Sequence, residues 1–284
     1  MKETLHVEIK QEVLSLVSCV AFSTVPAWYE GTYKDLRMDL IIPKHRENHK
    51  PCPAFVFVCG GAYMVVDHSI WMPQFVTLAK AGYVVATIEY RTSNAAHFPA
   101  QLEDAKSAVR YLRAHAEEYC IDPGRIFISG ESAGGCIASL VGVTGDQPQF
   151  DKGGYLEYSS AVQGVVNFYG PAIVSDLGGG CNTNEDVPDW TFRAYLGVYS
   201  GDGKEQMEAA SATTYINENT PPFLLLQGTA DALVPKALTD QFYDALVEGG
   251  VRTDYIVVDG AGHGDDAFYQ EEVLKRVMDF MESI

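Results

Sequence analysis

The sequence predicts an α/β fold in which a mostly parallel central sheet carries helices on both of its faces. Short continuous apolar runs recur along the chain, amphipathic helical patterns lie between them, and an alternating strand pattern precedes the first continuous run. Continuous runs are typical of parallel strands buried on both faces, and regular alternation of strands and helices is typical of a doubly wound sheet. The 284 residues are enough for one large domain, so we expect a single domain over 1–284.

The predicted strands and helices follow one another in a regular order. The alternating pattern at 36–42 predicts an early antiparallel strand. The continuous strands are predicted at 54–58, 84–88, 126–129, 162–169, 223–227 and 253–258. The helices are predicted at 71–81, 100–118, 132–144, 235–248 and 270–281. All but the last helix link two strands, as the right-handed crossovers of a parallel sheet require.

One region interrupts this order. Residues 176–220 are rich in glycine and polar residues and then contain several aromatic side chains. Long excursions of this kind in compact domains are usually lids or binding loops, so we expect a small lid or pocket insertion within the single domain. Trp190, Phe192 and Tyr195 are candidates for the wall of a substrate pocket, and packing within the lid is an equal alternative.

Composition and charge exclude several function classes. The formal net charge of −18 opposes binding to nucleic acid or to an anionic membrane, since both would be repelled. No apolar stretch reaches the roughly 18–20 residues of a membrane span. An apolar run at 13–25 resembles the centre of a secretory signal, but the residues before it are acidic rather than basic. Six scattered cysteines without C-x-x-C spacing indicate reduced thiols in a cytoplasmic protein.

A candidate nucleophile lies between a predicted strand and a predicted helix. Gly130-Glu131-Ser132-Ala133-Gly134 matches G-x-S-x-G, which is a weak pattern by itself. The pattern becomes specific when the serine occupies a tight strand-to-helix turn, because flanking glycines then leave room for the strained backbone. The strand at 126–129 and the helix at 132–144 supply that setting. A serine that merely caps the helix is the alternative.

The candidate base and acid follow from chain order. An imidazole must remove the serine proton, and a carboxylate must hold the imidazole in the right tautomer. His263 is the only histidine after Ser132, and it lies in a glycine-rich loop after the last predicted strand. Asp231 follows the strand at 223–227 and is the predicted acid. Three aspartates close to His263 in the sequence are alternatives that would have to fold back onto it; they are Asp259, Asp265 and Asp266.

A glycine-containing turn after the strand at 54–58 completes the pattern. It reads Cys59-Gly60-Gly61-Ala62-Tyr63. With the motifs above, this turn resembles that of the hormone-sensitive-lipase-like and feruloyl- or acetyl-xylan-esterase-like branch of the α/β-hydrolases. The further segments that carry the resemblance are 89–91, 98–104, 121–125, 130–135 and 221–231. The resemblance covers the chain from about residue 36 to its end and implies an α/β-hydrolase fold.

The resemblance also implies an oxyanion hole. Matching positions place its backbone N–H donors at Gly61, Ala62 and Ala133, and Tyr63 becomes a candidate pocket residue. This chain departs from the family turn in two ways, because Cys59 replaces a histidine and Ala62 replaces a glycine. We expect Ala62 to be tolerated only if its φ is negative or mildly strained. Cys59 as the nucleophile is a poor alternative, since it lacks a partner of its own in the sequence.

The sequence therefore predicts a serine carboxylesterase that hydrolyses short-acyl esters, such as those of acetylated or feruloylated carbohydrate, through an acyl-enzyme. The chemistry implies no metal and no organic cofactor, and the partner is a small-molecule ester. An arylformamidase or a peptidase-type amide hydrolase would use the same triad, and a non-catalytic binding protein is a third alternative. The sequence leaves the oligomeric state open, with a homo-oligomer among the options.

Overall fold

A computed structural model of the chain contains one eight-stranded sheet. It describes residues 1–10, 13–27, 29–44, 50–174 and 190–284, with the side chain of Trp190 outside the description. The strands are β1 (Leu14–Pro26), β2 (Tyr33–Pro43), β3 (Cys52–Val58), β4 (Val84–Ile88), β5 (Ile121–Glu131), β6 (Gly164–Phe168), β7 (Phe223–Gly228) and β8 (Thr253–Val258).

The order of the strands across the sheet is β1-β2-β4-β3-β5-β6-β7-β8. The pairs β1–β2 and β2–β4 are antiparallel, and the five pairs from β3–β4 to β7–β8 are parallel. Because parallel strands end at the same edge of a sheet, the loops after β3, β5, β7 and β8 meet there. This edge therefore collects the segments that the sequence singles out.

Helices connect and cover the strands, as the α/β prediction requires. Those of the described residues are α1 (Met72–Lys80), α2 (Ala100–Ala114), α3 (Ala116–Tyr119), α4 (Ala133–Val143), α5 (Trp190–Leu196), α6 (Lys204–Ala209), α7 (Lys236–Glu248) and α8 (Glu271–Glu282). Helix α1 packs with α8, whereas α2 packs with α4. Helix α4 is buried along its whole length, because glycine, alanine and aliphatic residues let it lie closely on β5 and β6. The predicted fold class is confirmed.

Two differences from the predicted elements occur at the edges of the sheet. The apolar run at 13–25 forms most of β1, which pairs with β2 across two register irregularities. Strand β8 was expected to be buried on both faces, and this is wrong, since none of its six residues is fully buried. As the last strand of the sheet, β8 has a neighbour on one side only.

The predicted insertion lies partly outside the described residues, which resume at 190. Its described part contains α5, α6 and a 3-10 turn at Ala212–Tyr215. The single domain with an insertion at 176–220 stays a prediction. Among the residues that the structure describes, none of the helices combines the length and the apolar character needed to cross a membrane.

Candidate active site

Ser132 lies on a sharp turn between β5 and α4. Its backbone has φ +52° and ψ −124°, a conformation that L-amino acids rarely adopt. A Cβ atom at Gly130 would lie within 3.0 Å of the Gly134 carbonyl, and one at Gly134 within 3.0 Å of the Val58 carbonyl. Side chains are thus sterically excluded at both positions, which explains why glycines flank Ser132.

The structure brings Ser132, His263 and Asp231 together from three different loops. His263 Nε2 lies 2.8 Å from Ser132 Oγ, and His263 Nδ1 lies 2.9 Å from Asp231 Oδ2. An ionised carboxylate only accepts hydrogen bonds, so Nδ1 carries the ring proton and donates a hydrogen bond to Asp231. Nε2 is then free to accept a hydrogen bond from the Ser132 hydroxyl, which is the geometry of a base-activated nucleophile.

Asp231 is enclosed by donors. Its Oδ1 accepts the backbone N–H groups of Leu233 and Val234, both at 2.8 Å, and its Oδ2 accepts Gln227 Nε2 at 2.9 Å as well as the imidazole. Burial by itself would raise the pKa of Asp231. The hydrogen bond and charge of His263, together with the two backbone donors, outweigh burial and hold the pKa below its ordinary value. The carboxyl is therefore ionised at neutral pH.

Aromatic side chains pack against the imidazole ring of His263. The Tyr169 ring packs edge-on against His263 with a centroid distance of 4.9 Å, and Phe268 packs on Tyr169 at 4.6 Å. The Tyr169 hydroxyl lies 2.7 Å from that of Tyr269, so this wall continues toward α8. No motif in the sequence marks Tyr169 or Gln227 as a site residue. The one sequence feature that could have indicated these two residues is their position, since each is a polar or amphipathic residue at the end of an apolar strand run.

The turn after β3 has an unusual backbone. The φ angles are +116° at Gly61, +52° at Ala62 and +62° at Tyr63. Ala62 therefore adopts the left-handed conformation, the strained alternative to a negative φ, at a cost of roughly 1–2 kcal/mol. Within the described residues the N–H groups of Gly61 and Ala62 have no hydrogen-bond acceptor. The Ala133 N–H, at the first position of α4, has none within the helix.

Several hydrogen bonds hold this turn against β5 and β4. The Gly60 N–H donates to Glu131 Oε1 at 2.6 Å, the Tyr90 hydroxyl donates to the Cys59 carbonyl at 3.1 Å, and the Ser93 N–H donates to the Tyr63 carbonyl at 2.8 Å. Glu131 immediately precedes Ser132, so its carboxylate links the turn at Ser132 directly to the turn after β3. Burial raises the pKa of Glu131.

Cys59 occupies a poor position for nucleophilic chemistry. It is 2% exposed. Burial, and then the nearby charge of Glu131, raise the pKa of its thiol to about 12. The thiolate, which is the nucleophilic form, is therefore scarce at neutral pH.

The aromatic candidates for a pocket wall are placed differently from one another. Tyr63 and Tyr195 are 2% and 0% exposed, and their rings stack with a centroid distance of 3.8 Å. Each ring thus covers a face of the other within the buried core, and a pocket role for these two residues stays a prediction. Phe192 is partly exposed and lies 6.0 Å from the Tyr63 ring. The prediction for Trp190 lies outside the described side chains.

The described residues contain no group of three histidine, cysteine, aspartate or glutamate side chains placed to bind a metal ion. A serine hydroxyl, an imidazole, a carboxylate and backbone N–H groups without acceptors are the kinds of group that acyl transfer uses.

Several known proteins that are similar to this chain in sequence or structure are named as esterases. Esterase LipC of Mycobacterium tuberculosis is 29% identical over 221 residues, which cover 76% of this chain and 54% of that relative. The chain thus spans about half the length of the curated relatives it matches. A truncated carbohydrate esterase from gut microbiota superposes with a TM-score of 0.79 at 25% identity, covering 97% of this chain and 98% of the other.

The propionate-bound esterase Est2 of Thermogutta terrifontis superposes with a TM-score of 0.72 at 26% identity, over 92% of this chain and 94% of the other. The BD-FAE family model matches residues 38–246, which contain the turn at Ser132, the turn after β3 and Asp231. His263 lies beyond the matched range. The match extends over more than half of the chain, and the chain therefore belongs to the BD-FAE family.

Proposed function

We propose that this chain is a serine carboxylic-ester hydrolase with Ser132, His263 and Asp231 as its catalytic triad. The observation that carries the proposal is the continuous hydrogen-bonded path from Ser132 Oγ through the imidazole to Asp231, with contacts of 2.8 and 2.9 Å. Similarity to esterases in sequence and structure supports the same activity. A serine that only capped a helix would not need this path.

The first chemical step is acylation. Ser132 Oγ attacks the ester carbonyl while His263 Nε2 takes its proton, and Asp231 stabilises the imidazolium that forms. The carbonyl oxygen becomes negatively charged in the tetrahedral intermediate. The N–H groups of Gly61, Ala62 and Ala133 are the proposed donors to this oxygen, which is consistent with their lack of acceptors in the described structure. The imidazolium then protonates the leaving alcohol.

The second step is deacylation. With the alcohol gone, Nε2 of His263 takes a proton from water, and the resulting hydroxide attacks the acyl-enzyme. The same donors stabilise the second oxyanion, and the proton returns to Ser132 Oγ as the acid leaves. Asp231 keeps Nδ1 protonated throughout, so the base never needs to change its tautomer.

Short-acyl esters are the proposed substrates, with acetylated or feruloylated carbohydrate as the physiological class. The similarity to a carbohydrate esterase and to the propionate-bound Est2 supports this choice. The acidic charge of the chain is compatible with a neutral ester and disfavours a polyanion. A cytoplasmic location and a possible homo-oligomer belong to the proposal as well, the former resting on the scattered cysteines.

The test combines active-site labelling with turnover. Wild-type protein is expected to react with a fluorophosphonate and to hydrolyse p-nitrophenyl acetate, whereas Ser132→Ala is expected to lose the label and about 10³–10⁶-fold in kcat. Ser139→Ala is a matched control, because Ser139 is a buried serine of α4 whose hydroxyl accepts only Asn167 Nδ2 among the described side chains. Circular dichroism checks that each variant is folded.

A substrate panel then separates the alternatives. The panel compares two groups of substrates. The esters are acetyl, propionyl and butyryl esters, acetylated xylan and methyl ferulate. The amides are formylated arylamines and aminopeptide substrates. Amide turnover without ester turnover would replace the esterase proposal with an amidase. Wild-type protein that neither turns over esters nor takes the label would point to a non-catalytic binding protein.

A further inference from the structure

The turn that carries the proposed oxyanion donors is held in a conformation that its own residues disfavour. Ala62 and Tyr63 both have positive φ, although neither is glycine. Backbone strain of this kind persists only where the surrounding structure imposes it. The contacts that impose it therefore decide where the Gly61 and Ala62 N–H groups point.

Hydrogen bonds that Glu131 accepts and that Tyr90 and Ser93 donate hold the backbone of this turn from the side of the sheet. On its other side, the Tyr63 ring lies almost flat on the Tyr195 ring, at 3.8 Å and with 12° between the ring planes. Stacking at this distance leaves no room between the rings, and Tyr195 has no exposed surface. Helix α5, which lies far along the chain from this turn, thus contacts the side chain of Tyr63 directly.

Tyr195 is itself anchored to the body of the protein. Its carbonyl accepts the Phe98 N–H at 2.7 Å, and its ring packs edge-on against the Phe98 ring at 5.7 Å. One residue earlier, the Ala194 carbonyl lies 2.7 Å from His97 Nδ1. The position of the Tyr195 ring is therefore set by the segment before α2.

The hydroxyls of the two stacked tyrosines are buried without a hydrogen-bond partner among the described residues. The thiol of Cys136 is close enough to affect the pKa of both. The rings rather than the hydroxyls make the contact, so phenylalanine should preserve it. This gives a variant that separates the ring from the hydroxyl.

We propose that Tyr195 is a positioning residue for the oxyanion hole: its ring holds Tyr63, and through Tyr63 it holds the backbone donors of Gly61 and Ala62. The proposal rests on the proposed function. It gives the insertion a part in transition-state stabilisation, instead of the pocket wall that its aromatic composition indicates.

The experiment compares Tyr195→Leu with Tyr195→Phe in the full chain. Active sites are first counted with a fluorophosphonate, so that kcat refers to folded enzyme only. Then kcat and KM for p-nitrophenyl acetate are measured, together with the affinity for a trifluoromethyl ketone, which forms a tetrahedral oxyanion adduct with the serine. Tyr111→Leu is the matched control, because Tyr111 is a buried tyrosine of α2 that stacks on His115 at 4.1 Å.

Removal of a whole oxyanion donor costs about 10²–10³-fold in kcat. Displacement of the turn is expected to cost less, so Tyr195→Leu should lose roughly 10–100-fold in kcat, with KM within about threefold. Ketone affinity should fall by a similar factor. Tyr195→Phe should recover kcat to within about threefold of wild type, and Tyr111→Leu should lose thermal stability without losing kcat.

Three results would overturn the inference while leaving the proposed function intact. They are a Tyr195→Leu variant with unchanged kcat and unchanged KM, one with a rise in KM alone, and one with a fall in kcat but no fall in ketone affinity. A rise in KM alone would restore Tyr195 as a pocket residue. A wild type without turnover and without labelling would overturn both the proposed function and this inference.

Discussion

Replacement of Asp231 by asparagine is expected to disable the proposed base without disturbing the fold. The two carboxylate oxygens accept four hydrogen bonds, two from backbone N–H groups at Oδ1 and two from Gln227 and His263 at Oδ2. Asparagine has only one acceptor oxygen. Its NH₂ group must therefore face donors on one side or the other.

The surroundings decide which side the NH₂ group takes. The backbone donors of Leu233 and Val234 cannot reorient, so the asparagine oxygen should stay with them and the NH₂ group should face His263. Gln227 cannot easily turn to relieve the clash, because its Oε1 accepts the Thr239 hydroxyl at 2.9 Å and its Nε2 also donates to the Val234 carbonyl at 3.1 Å. The imidazole must then accept at Nδ1 and carry its proton on Nε2, where it cannot take the Ser132 proton.

The expected loss follows from the energies of these changes. Losing a hydrogen bond to a charged group costs about 1.5–3 kcal/mol, and enforcing the wrong tautomer adds a comparable cost. Together these costs amount to about 3–6 kcal/mol, which corresponds to a decrease in kcat of roughly 10²–10⁴-fold. The same exchange in the chymotrypsin triad, a worked case of this chemistry, lowers kcat about 10⁴-fold.

The assay is steady-state hydrolysis of p-nitrophenyl acetate by Asp231→Asn, with active-site labelling as a second readout. Asp259→Asn serves as the control, since Asp259 lies in the same loop as His263 and accepts the Thr229 hydroxyl at 3.1 Å. The control should retain kcat within about threefold. A decrease of less than tenfold in Asp231→Asn would refute the reasoning, and a large decrease in the control alone would transfer the acid role to Asp259.

Three further predictions concern packing, charge and the thiol. Gly134→Ala should destabilise the protein by about 1–3 kcal/mol in urea unfolding, although alanine has the higher helix propensity, because the new Cβ would collide with the Val58 carbonyl. Gly154→Ala, which meets nothing within 4 Å, should change stability by less than about 0.5 kcal/mol, and equal effects would contradict the steric account. Because Asp231 has a lowered pKa, its ionised form stabilises the folded state above the unfolded pKa of about 3.9, and this contribution is lost as the pH falls through the folded value. The stability difference between wild type and Asp231→Asn should therefore shrink below about pH 4, and a constant difference from pH 7 to pH 3 would argue against an ionised Asp231. The thiol of Cys59, with its pKa near 12, should resist iodoacetamide at pH 8 in the native protein, as mass spectrometry of the alkylated peptide can show; rapid alkylation would contradict the burial.

Chain order and strand ends were sufficient to select Ser132, Asp231 and His263 as candidates. Each follows a strand whose apolar run is continuous, and parallel strands bring their carboxyl ends to one edge of the sheet. The structure indeed places the three side chains in hydrogen-bond contact. Periodicity was less informative for β1 and β8, because an edge strand is only partly covered and its residue pattern depends on neighbours that the local sequence does not specify.

Backbone conformation and long-range packing depended on the tertiary structure. The sequence alone determined the α/β class, the strand-to-helix turn at Ser132 and the order of the triad candidates, since these follow from local steric needs and from strand–helix alternation. Only the tertiary structure decided that Ala62 and Tyr63 adopt positive φ, that Glu131 holds Gly60, and that Tyr195 lies flat on Tyr63. The physical reason is distance along the chain: Glu131 lies 71 residues from Gly60, and such contacts form only when the whole sheet and its layers assemble.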